Sequence, residues 1–381
     1  MKKDVYELTS PQKNIWQIEQ INEKDSSINH ILAILKLNSV LDEPLLIKSV
    51  KKLIEVNTSF NFKFKVNKNS ICQYIDNTAE HSIEVKHVKT EDISSIVNKY
   101  KKFPISLENT FAFCIVFTPS KTYVLYKTHH IINDGWGVTQ TADQLKEIYD
   151  KYQNQDDLDN FKKTSYLDFI NREKIYLDSE KFKSDESFWN EYVKNIDPSH
   201  LFKNTMLLNK KANRLEQDID INLSHSISDF CKNNKITEYA FFLGILSIYF
   251  SKIYSLNNII FGTPFLNRQK RFKELESLGM YVSTLPLNVS ISNDETFISL
   301  CKNISSTNMS LYKHSNFPYH KIQELYSNEK SINTNLYEIG FSYQINQLSY
   351  KMSNGDVGSC SWVFSEEQNN PLTIHLTSVN S

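Results

Sequence analysis

Two adjacent histidines, His129 and His130, stand a few residues ahead of an Asp134-Gly135 pair in the run Lys127-Thr-His129-His130-Ile131-Ile132-Asn133-Asp134-Gly135-Trp136. An imidazole near its ordinary pKa can accept or position a proton at neutral pH, which is general acid–base chemistry. The preceding residues alternate, Tyr123, Leu125 and Lys127 against Val124, Tyr126 and Thr128, with the period of a strand. Successive strand side chains point to opposite faces, so the two histidines have different tasks: one faces a cavity and the other is buried behind it. Most single histidines on apolar strands are satisfied core residues, and this pair departs from that background by its neighbour and by the Asp-Gly that follows. Other chemistry fits less well. His130 and Asp134 are four apart but lack a third ligand nearby, which argues against a metal centre. Ser10 and Ser283 lack the GxSxG surroundings of an activated serine.

The elements that must position this loop follow from periodicity. Leu8-Thr9-Ser10-Pro11 reads as a helix start with Ser10 as cap and Pro11 at the first helical position. A strand is predicted over 30–38 and an amphipathic helix over 41–56, with Leu41, Leu45, Leu46, Val50, Leu53 and Ile54 on one side. Strands are predicted over 70–75 and 82–88, then a helix from Asp92 to Lys101 and a strand Phe111–Phe117 that pairs with the histidine strand. Trp136 to Tyr152 has helical periodicity. The polar stretch 172–187, rich in Lys, Asp, Ser and Glu, reads as a crossing into a second lobe. Thr237–Tyr254 is apolar nearly all round, which predicts a helix buried between layers.

At 381 residues the chain is long for one core, and two lobes are the better expectation, 1–175 and 176–381. A net charge of −1 gives no electrostatic reason to expect nucleic acid or an anionic membrane. Five scattered cysteines without CxxC spacing point away from zinc and disulfides and toward a reducing compartment. No run approaches the length of an apolar membrane span and the N-terminus lacks a signal-peptide core, so the expected location is the cytoplasm.

His129-His130-x-x-x-Asp134-Gly135 resembles the HHxxxDG motif of nonribosomal peptide synthetase condensation domains, members of the chloramphenicol-acetyltransferase-like superfamily. Further resemblances follow in the family's order. Leu8-Thr9-x-x-Gln12-x-x-x-Trp16 is similar to LTxxQxxxW, Tyr166-x-Asp168-Phe169 follows YxDF, and Gly262-Thr-Pro-x-x-Asn267-Arg268 is a GTPxxNR-like loop. Leu278-Gly279-Met280-Tyr281-Val282-Ser283-Thr284-Leu285-Pro286 is similar to IGxFVNTLPLR, with Ser283 for Asn and Asn288 for Arg. His314–Tyr319 resembles HQxYPF, and Leu336–Asn346 resembles LFxxxFxxQN. The second motif matches poorly: Asn57 and Asn61 stand where a His and an Arg usually occur. Gly137 replaces a common Ser. Trp136 follows Gly135 directly, as in peptide-forming condensation domains and unlike epimerisation domains, while heterocyclisation domains lack the two histidines.

The resemblance covers residues 8–346 and implies an α/β fold of two lobes, each a mixed sheet with packed helices, forming a V with a central tunnel. It implies transfer of an acyl or peptidyl group from a donor carrier-protein thioester to the amine of an acceptor aminoacyl carrier, beside adenylation and carrier domains of a synthetase. The phosphopantetheine belongs to the partners, so no bound cofactor, no nucleic acid and no membrane is expected. By resemblance His130 is the active histidine and His129 is structural. Asp134 is read as architecture rather than a third triad member, with Arg268 as its candidate partner. Gly135 is needed if the loop bends through positive φ or lets substrate close to the backbone. Trp136, Tyr281 and Ser283 are the candidate substrate-binding residues, with Trp136 also readable as core. The family's domain normally continues beyond Pro371–Ile374 through a final strand and helix, so the C-terminal lobe is expected to lack them, in a truncated piece or a shortened variant. Met1 close ahead of the first motif implies that the domain opens its polypeptide. Two rivals stay open: an acyltransferase of the same fold using soluble acyl-CoA, and an idle condensation-like module that only recruits a carrier.

Overall fold

In a computed structural model the described residues are 4–22, 26–67, 70–78, 81–196, 201–202, 210–331, 335–346, 349–351 and 355–379. In chain order the elements begin with β1 (Val5–Glu7), α1 (Ser10–Gln20), β2 (His30–Leu37) and α2 (Glu43–Val56). Next come β3 (Phe62–Asn67), β4 (Ser70–Ile75), β5 (Ile83–His87), α3 (Ser94–Lys101), β6 (Phe111–Phe117) and β7 (Thr122–His129). The helices α4 (Gly135–Gln153), α5 (Tyr166–Leu177), α6 (Glu180–Lys194), α7 (Ile221–Asn234) and α8 (Glu238–Tyr254) follow. The remainder is β8 (Asn258–Phe265), β9 (Ser283–Ser290), α9 (Phe297–Lys313), α10 (Tyr319–Lys330), β10 (Ile339–Asn346), β11 (Ser349–Lys351), β12 (Val357–Val363) and β13 (Leu372–Val379).

Contacts divide the chain into two units: Met1–Ile175 with Arg268–Val282 and Gln347–Glu367, and Tyr176–Asn267 with Ser283–Asn346 and Gln368–Ser381. A single cut after residue 175 therefore describes only part of the division, because two later segments belong to the first unit. The chain passes from the first unit to the second at Ile175–Tyr176, inside the polar stretch 172–187, and it does so as helix, the end of α5 and the start of α6. The stretch's shortage of apolar positions is that of helices that bury one narrow stripe.

The first unit is built on a six-stranded sheet of order β11-β12-β2-β7-β6-β5, in which β5 and β6 are parallel and the other neighbours antiparallel. Strand β7 lies inside it, paired along its length to β2 and β6. Its two faces enter two cores, which is why its residues are buried on both sides. Val124 and Tyr126 pack with Leu46, Val50 and Leu53 of α2 and Leu145 and Ile148 of α4, whereas Tyr123 and Leu125 pack with Tyr100 of α3. Lys127 lies on the second face, buried, and its ammonium donates to the carbonyls of Lys101 (2.7 Å) and Phe103 (2.6 Å). Those bonds satisfy the charge, and burial lowers its pKa to about 8. A small antiparallel sheet β1-β4-β3 completes the unit.

The start of α1 differs by one residue from the sequence expectation. Thr9 is the cap: its hydroxyl accepts from the Gln12 N–H, and the Gln12 side chain accepts in return from the Thr9 N–H. The N–H of Ser10 instead donates to both oxygens of buried Glu173 on α5 (3.0 and 2.9 Å). The poorly matching second motif also finds its reason. Asn57 donates to Leu53 O and Gln144 Oε1, both at 2.8 Å, so a neutral hydrogen-bond pair occupies a place where the resemblance leads one to look for ions.

The second unit has a mixed four-stranded sheet of order β13-β10-β8-β9, with β13, β10 and β8 parallel and β9 antiparallel to β8. Helix α8 turns Ala240, Leu243, Gly244, Ser247 and Phe250 inward. It is not buried all round: Ile245, Tyr249 and Ile253 are 44%, 56% and 54% exposed. No single helix among the described residues is long and apolar enough to cross a membrane. His314, from the sixth motif, holds α6 through its Nδ1, 2.5 Å from Asp185 Oδ1, and stacks on Phe188.

Candidate active site

Strand β7 ends at His129, so the two histidines part at the strand's edge. The His129 side chain has no exposed surface. Its Nδ1 accepts the Ile131 N–H (3.1 Å), which leaves the proton on Nε2, 3.4 Å from Glu19 Oε2. This ring therefore braces the turn that follows it. His130 lies in that turn, partly exposed, with its N–H donating to Asn29 O (2.7 Å) and its Nδ1 3.2 Å from Met280 Sδ. No hydrogen bond to its Nε2 is found among the described residues. Burial lowers the His130 pKa and the Asp134 charge opposes this, so the neutral ring is favoured at pH 7.

Asp134 is fully committed to structure. Its Oδ1 accepts from Gly137 N–H (2.8 Å) and caps α4. Its Oδ2 accepts from Arg268 Nη1 (2.7 Å), Tyr281 N–H (2.9 Å) and Val282 N–H (3.1 Å). Four donors on one buried carboxylate leave it no capacity to act as a base toward substrate. Arg268 spends its other donors on the carbonyls of Glu274, Ser277 and Gly279, and its guanidinium lies over the Tyr281 ring at 4.1 Å. The pair thus ties the segment 268–282 to the helix that follows the histidines.

Two other motif residues hold the same loop. Gln12 donates to Ile131 O (3.0 Å), one residue beyond His130, and its amide is locked against Gln73. Tyr166 donates to Met280 O (2.6 Å) and shares a 2.8 Å hydrogen bond with Thr9. The ring of Tyr166 lies so close to Gly279 that a Cβ at 279 would overlap it. Gln12, Tyr166 and Met280 all stand in motif stretches of the sequence that assign them no task.

The remaining candidates separate. Gly135 has no positive φ, contrary to one of the two reasons offered for it; a Cβ there would stand 3.3 Å from the Trp362 ring. At Gly137, where the resemblance commonly has Ser, a Cβ would overlap the end of the Asn133 side chain, which would have to move. Trp136 is 37% exposed and donates its Nε1–H to Leu275 O (2.8 Å). Tyr281, expected to meet substrate, is instead fully buried against Phe62, Tyr166 and Phe169, with its hydroxyl on Ser277. Its bulk needs burial more than the site needs its ring, and what it offers the site is its N–H. Ser283 opens β9 in the second unit, opposite Phe265, and is buried.

Beside His129 lies a second, partly buried imidazole, His30, with ring centroids 5.7 Å apart. Burial, then the facing His129 and Lys127, lower the His30 pKa to about 3, with Glu19 and the Ile105 backbone opposing. A histidine held neutral in the fold but free to charge when unfolded costs stability as the pH falls below the unfolded value of 6.5, down to about 3. The slope from this group is at most about 1.4 kcal/mol per pH unit. Urea unfolding of wild type and His30→Gln across that window should show the two stabilities converging toward acid pH; parallel curves would remove His30 from the acid sensitivity.

The family comparison agrees with this arrangement. The Condensation domain family matches residues 2–381. The chain is 27% identical over 355 residues to a plipastatin synthase subunit, and 26% identical over 357 residues to surfactin synthase subunit 1, both from Bacillus subtilis (strain 168). Each alignment takes in 90% of this chain but only 14% and 10% of those much longer relatives. Among solved structures, the first condensation domain of the calcium-dependent antibiotic synthetase, in complex with a substrate analogue, superposes with a TM-score of 0.83 at 14% identity, covering 99% of this chain and 88% of that one. The starter condensation domain of rhizomide synthetase superposes with a TM-score of 0.76 at 16% identity, covering 98% and 87%. These two show the same fold, with its sheets and helices in common. The histidine pair at the end of β7, the buried Asp134–Arg268 pair and the match along residues 2–381 together mean that this chain belongs to the condensation-domain family of nonribosomal peptide synthetases.

Proposed function

We propose that this condensation domain makes an amide bond between two carrier-bound substrates, with His130 as the group that handles the amine's proton. The donor is an acyl or peptidyl thioester on the phosphopantetheine of one carrier protein, and the acceptor is the amine of an aminoacyl group on another. The amine nitrogen attacks the thioester carbonyl, the C–N bond forms, the C–S bond breaks, and the proton lost by nitrogen ends on the departing thiol. Tethering both substrates raises their effective concentration, so weak contacts suffice and a near-neutral chain needs no charge to recruit them.

The observation that carries the reading is the placement of His130: a partly exposed imidazole in the turn after β7, its Nδ1 3.2 Å from Met280 Sδ, next to a carboxylate whose oxygens accept four hydrogen bonds from the protein. A second reading, an acyl-CoA donor, draws support from the rhizomide starter domain, a variant of which was solved in complex with C8-CoA. Intact-protein mass spectrometry of an aminoacyl-loaded acceptor carrier, mixed with either an acyl-loaded donor carrier or acyl-CoA, distinguishes the two. The proposal predicts acyl mass on the acceptor with the carrier donor. Transfer from acyl-CoA alone favours the second reading, and carrier binding without transfer from any donor leaves a recruiting module.

A further inference from the structure

We propose that Asn29 is a positioning residue for the known reaction, setting the main chain of His130 against α1 from a place outside every motif of the sequence. The β2–β7 pairing ends with His30 opposite His129. One further bond carries it past the end of β7: the His130 N–H donates to Asn29 O at 2.7 Å. Asn29 is 2% exposed, and its amide nitrogen donates to two acceptors on α1, Glu19 Oε2 at 2.6 Å and Ile15 O at 3.3 Å. A carboxylate is the stronger acceptor of the two, and the shorter bond is the one made to it.

The same helix holds the next residue from its other end. Gln12 Nε2 donates to Ile131 O at 3.0 Å. Gln12, Ile15 and Glu19 follow one another at spacings of three and four, which puts them on one face of α1. That face locates the N–H of His130 through Asn29 and the carbonyl of Ile131 through Gln12. The strand ladder gives Asn29 O its direction, and the side-chain amide sets its distance from α1. Alanine at this position would leave the helix unattached. Aspartate has no N–H to donate and would bring a second carboxylate to Glu19. Asn29 meets the backbone of His130 and acts on the reaction only through it, so its importance for transfer rests on the reading of His130 as the group that handles the amine's proton.

The test reads the His130 backbone amide in deuterated, ¹⁵N-histidine-labelled protein, assigned by its loss in His130→Gln, together with steady-state transfer between loaded carriers. Asn29→Ala should move that amide proton upfield. It should lower kcat about tenfold to a hundredfold, as a displacement of about 1 Å does, with KM for the acceptor carrier unchanged. Glu19→Leu leaves Asn29 and its bond to Ile15 O in place, so it should act in the same direction and less strongly, and it carries the test where Asn29→Ala does not fold. Asn29→Asp/Glu19→Gln exchanges donor and acceptor across the pair. It should return the amide and kcat toward wild type, incompletely because a carboxylate cannot replace the bond to Ile15 O. An unmoved amide in the folded single variants, or an exchange variant no better than Asn29→Asp alone, overturns the proposal. A displaced amide with an unaltered transfer rate upholds the placement by Asn29 and overturns the reading of His130 beneath it.

Discussion

Asp134→Ala should destabilise the protein by about 3–5 kcal/mol, the usual result of removing one partner from a buried ion pair. The cost arises mainly from what is left behind. Arg268, with a side chain as inaccessible as that of Asp134, loses its counter-ion, and the N–H groups of Gly137, Tyr281 and Val282 lose their acceptor together. Helix α4 also loses its cap. Urea unfolding followed by circular dichroism measures the effect. Removing both charges in Asp134→Ala/Arg268→Met should recover part of the loss, because the uncompensated cation is then gone. Soluble Asp134→Ala with wild-type thermal stability would contradict the structural role.

His130→Ala should do the reverse, keeping the fold while lowering the transfer rate by about 10²- to 10⁴-fold, the usual contribution of a positioned acid–base group. The ring is partly exposed and meets Met280 Sδ at 3.2 Å, whereas His129 is sealed in and holds the Ile131 N–H. His129→Ala should therefore show its effect in stability first. The pH dependence carries a sign. The active ring is neutral, and burial lowers its pKa from 6.5, so the neutral form persists to lower pH than for a free imidazole. The wild-type rate should be level above 6.5 and decline only below it, and the residual rate of His130→Ala should lack that acid limb.

Much of the fold was legible where one physical cause dominates. Alternation located β7 and its antiparallel partner β6, because a strand between two cores must alternate in which core it feeds. The amphipathic stripe of α2 was readable for the same reason. Expectations failed where composition stood in for geometry. Helix α8 is apolar on a face that the fold leaves exposed at Ile245, Tyr249 and Ile253, so hydrophobicity overstated its burial. The cap fell on Thr9, whose hydroxyl accepts the Gln12 N–H, and the Ser10 N–H is bound by Glu173, 163 residues away.

The candidate site was legible at its charges. A buried carboxylate needs a cation, and that need, together with the GTPxxNR-like resemblance, led from Asp134 to Arg268 across 134 residues. Tyr281, which the IGxFVNTLPLR-like resemblance brought in as a substrate contact, has its hydroxyl on Ser277 and its ring inside the core. Met280, Gln12 and Tyr166 act through tertiary contacts to a backbone or a ring, and nothing in their own residue types announces such a partner.

The most direct test of His130's role is single-turnover transfer between loaded carriers, followed by intact mass, for wild type and His130→Ala at matched circular dichroism. The structure predicts acyl mass on the acceptor from wild type and a rate at least about a hundredfold lower from a folded variant. Transfer at the wild-type rate by folded His130→Ala would contradict it.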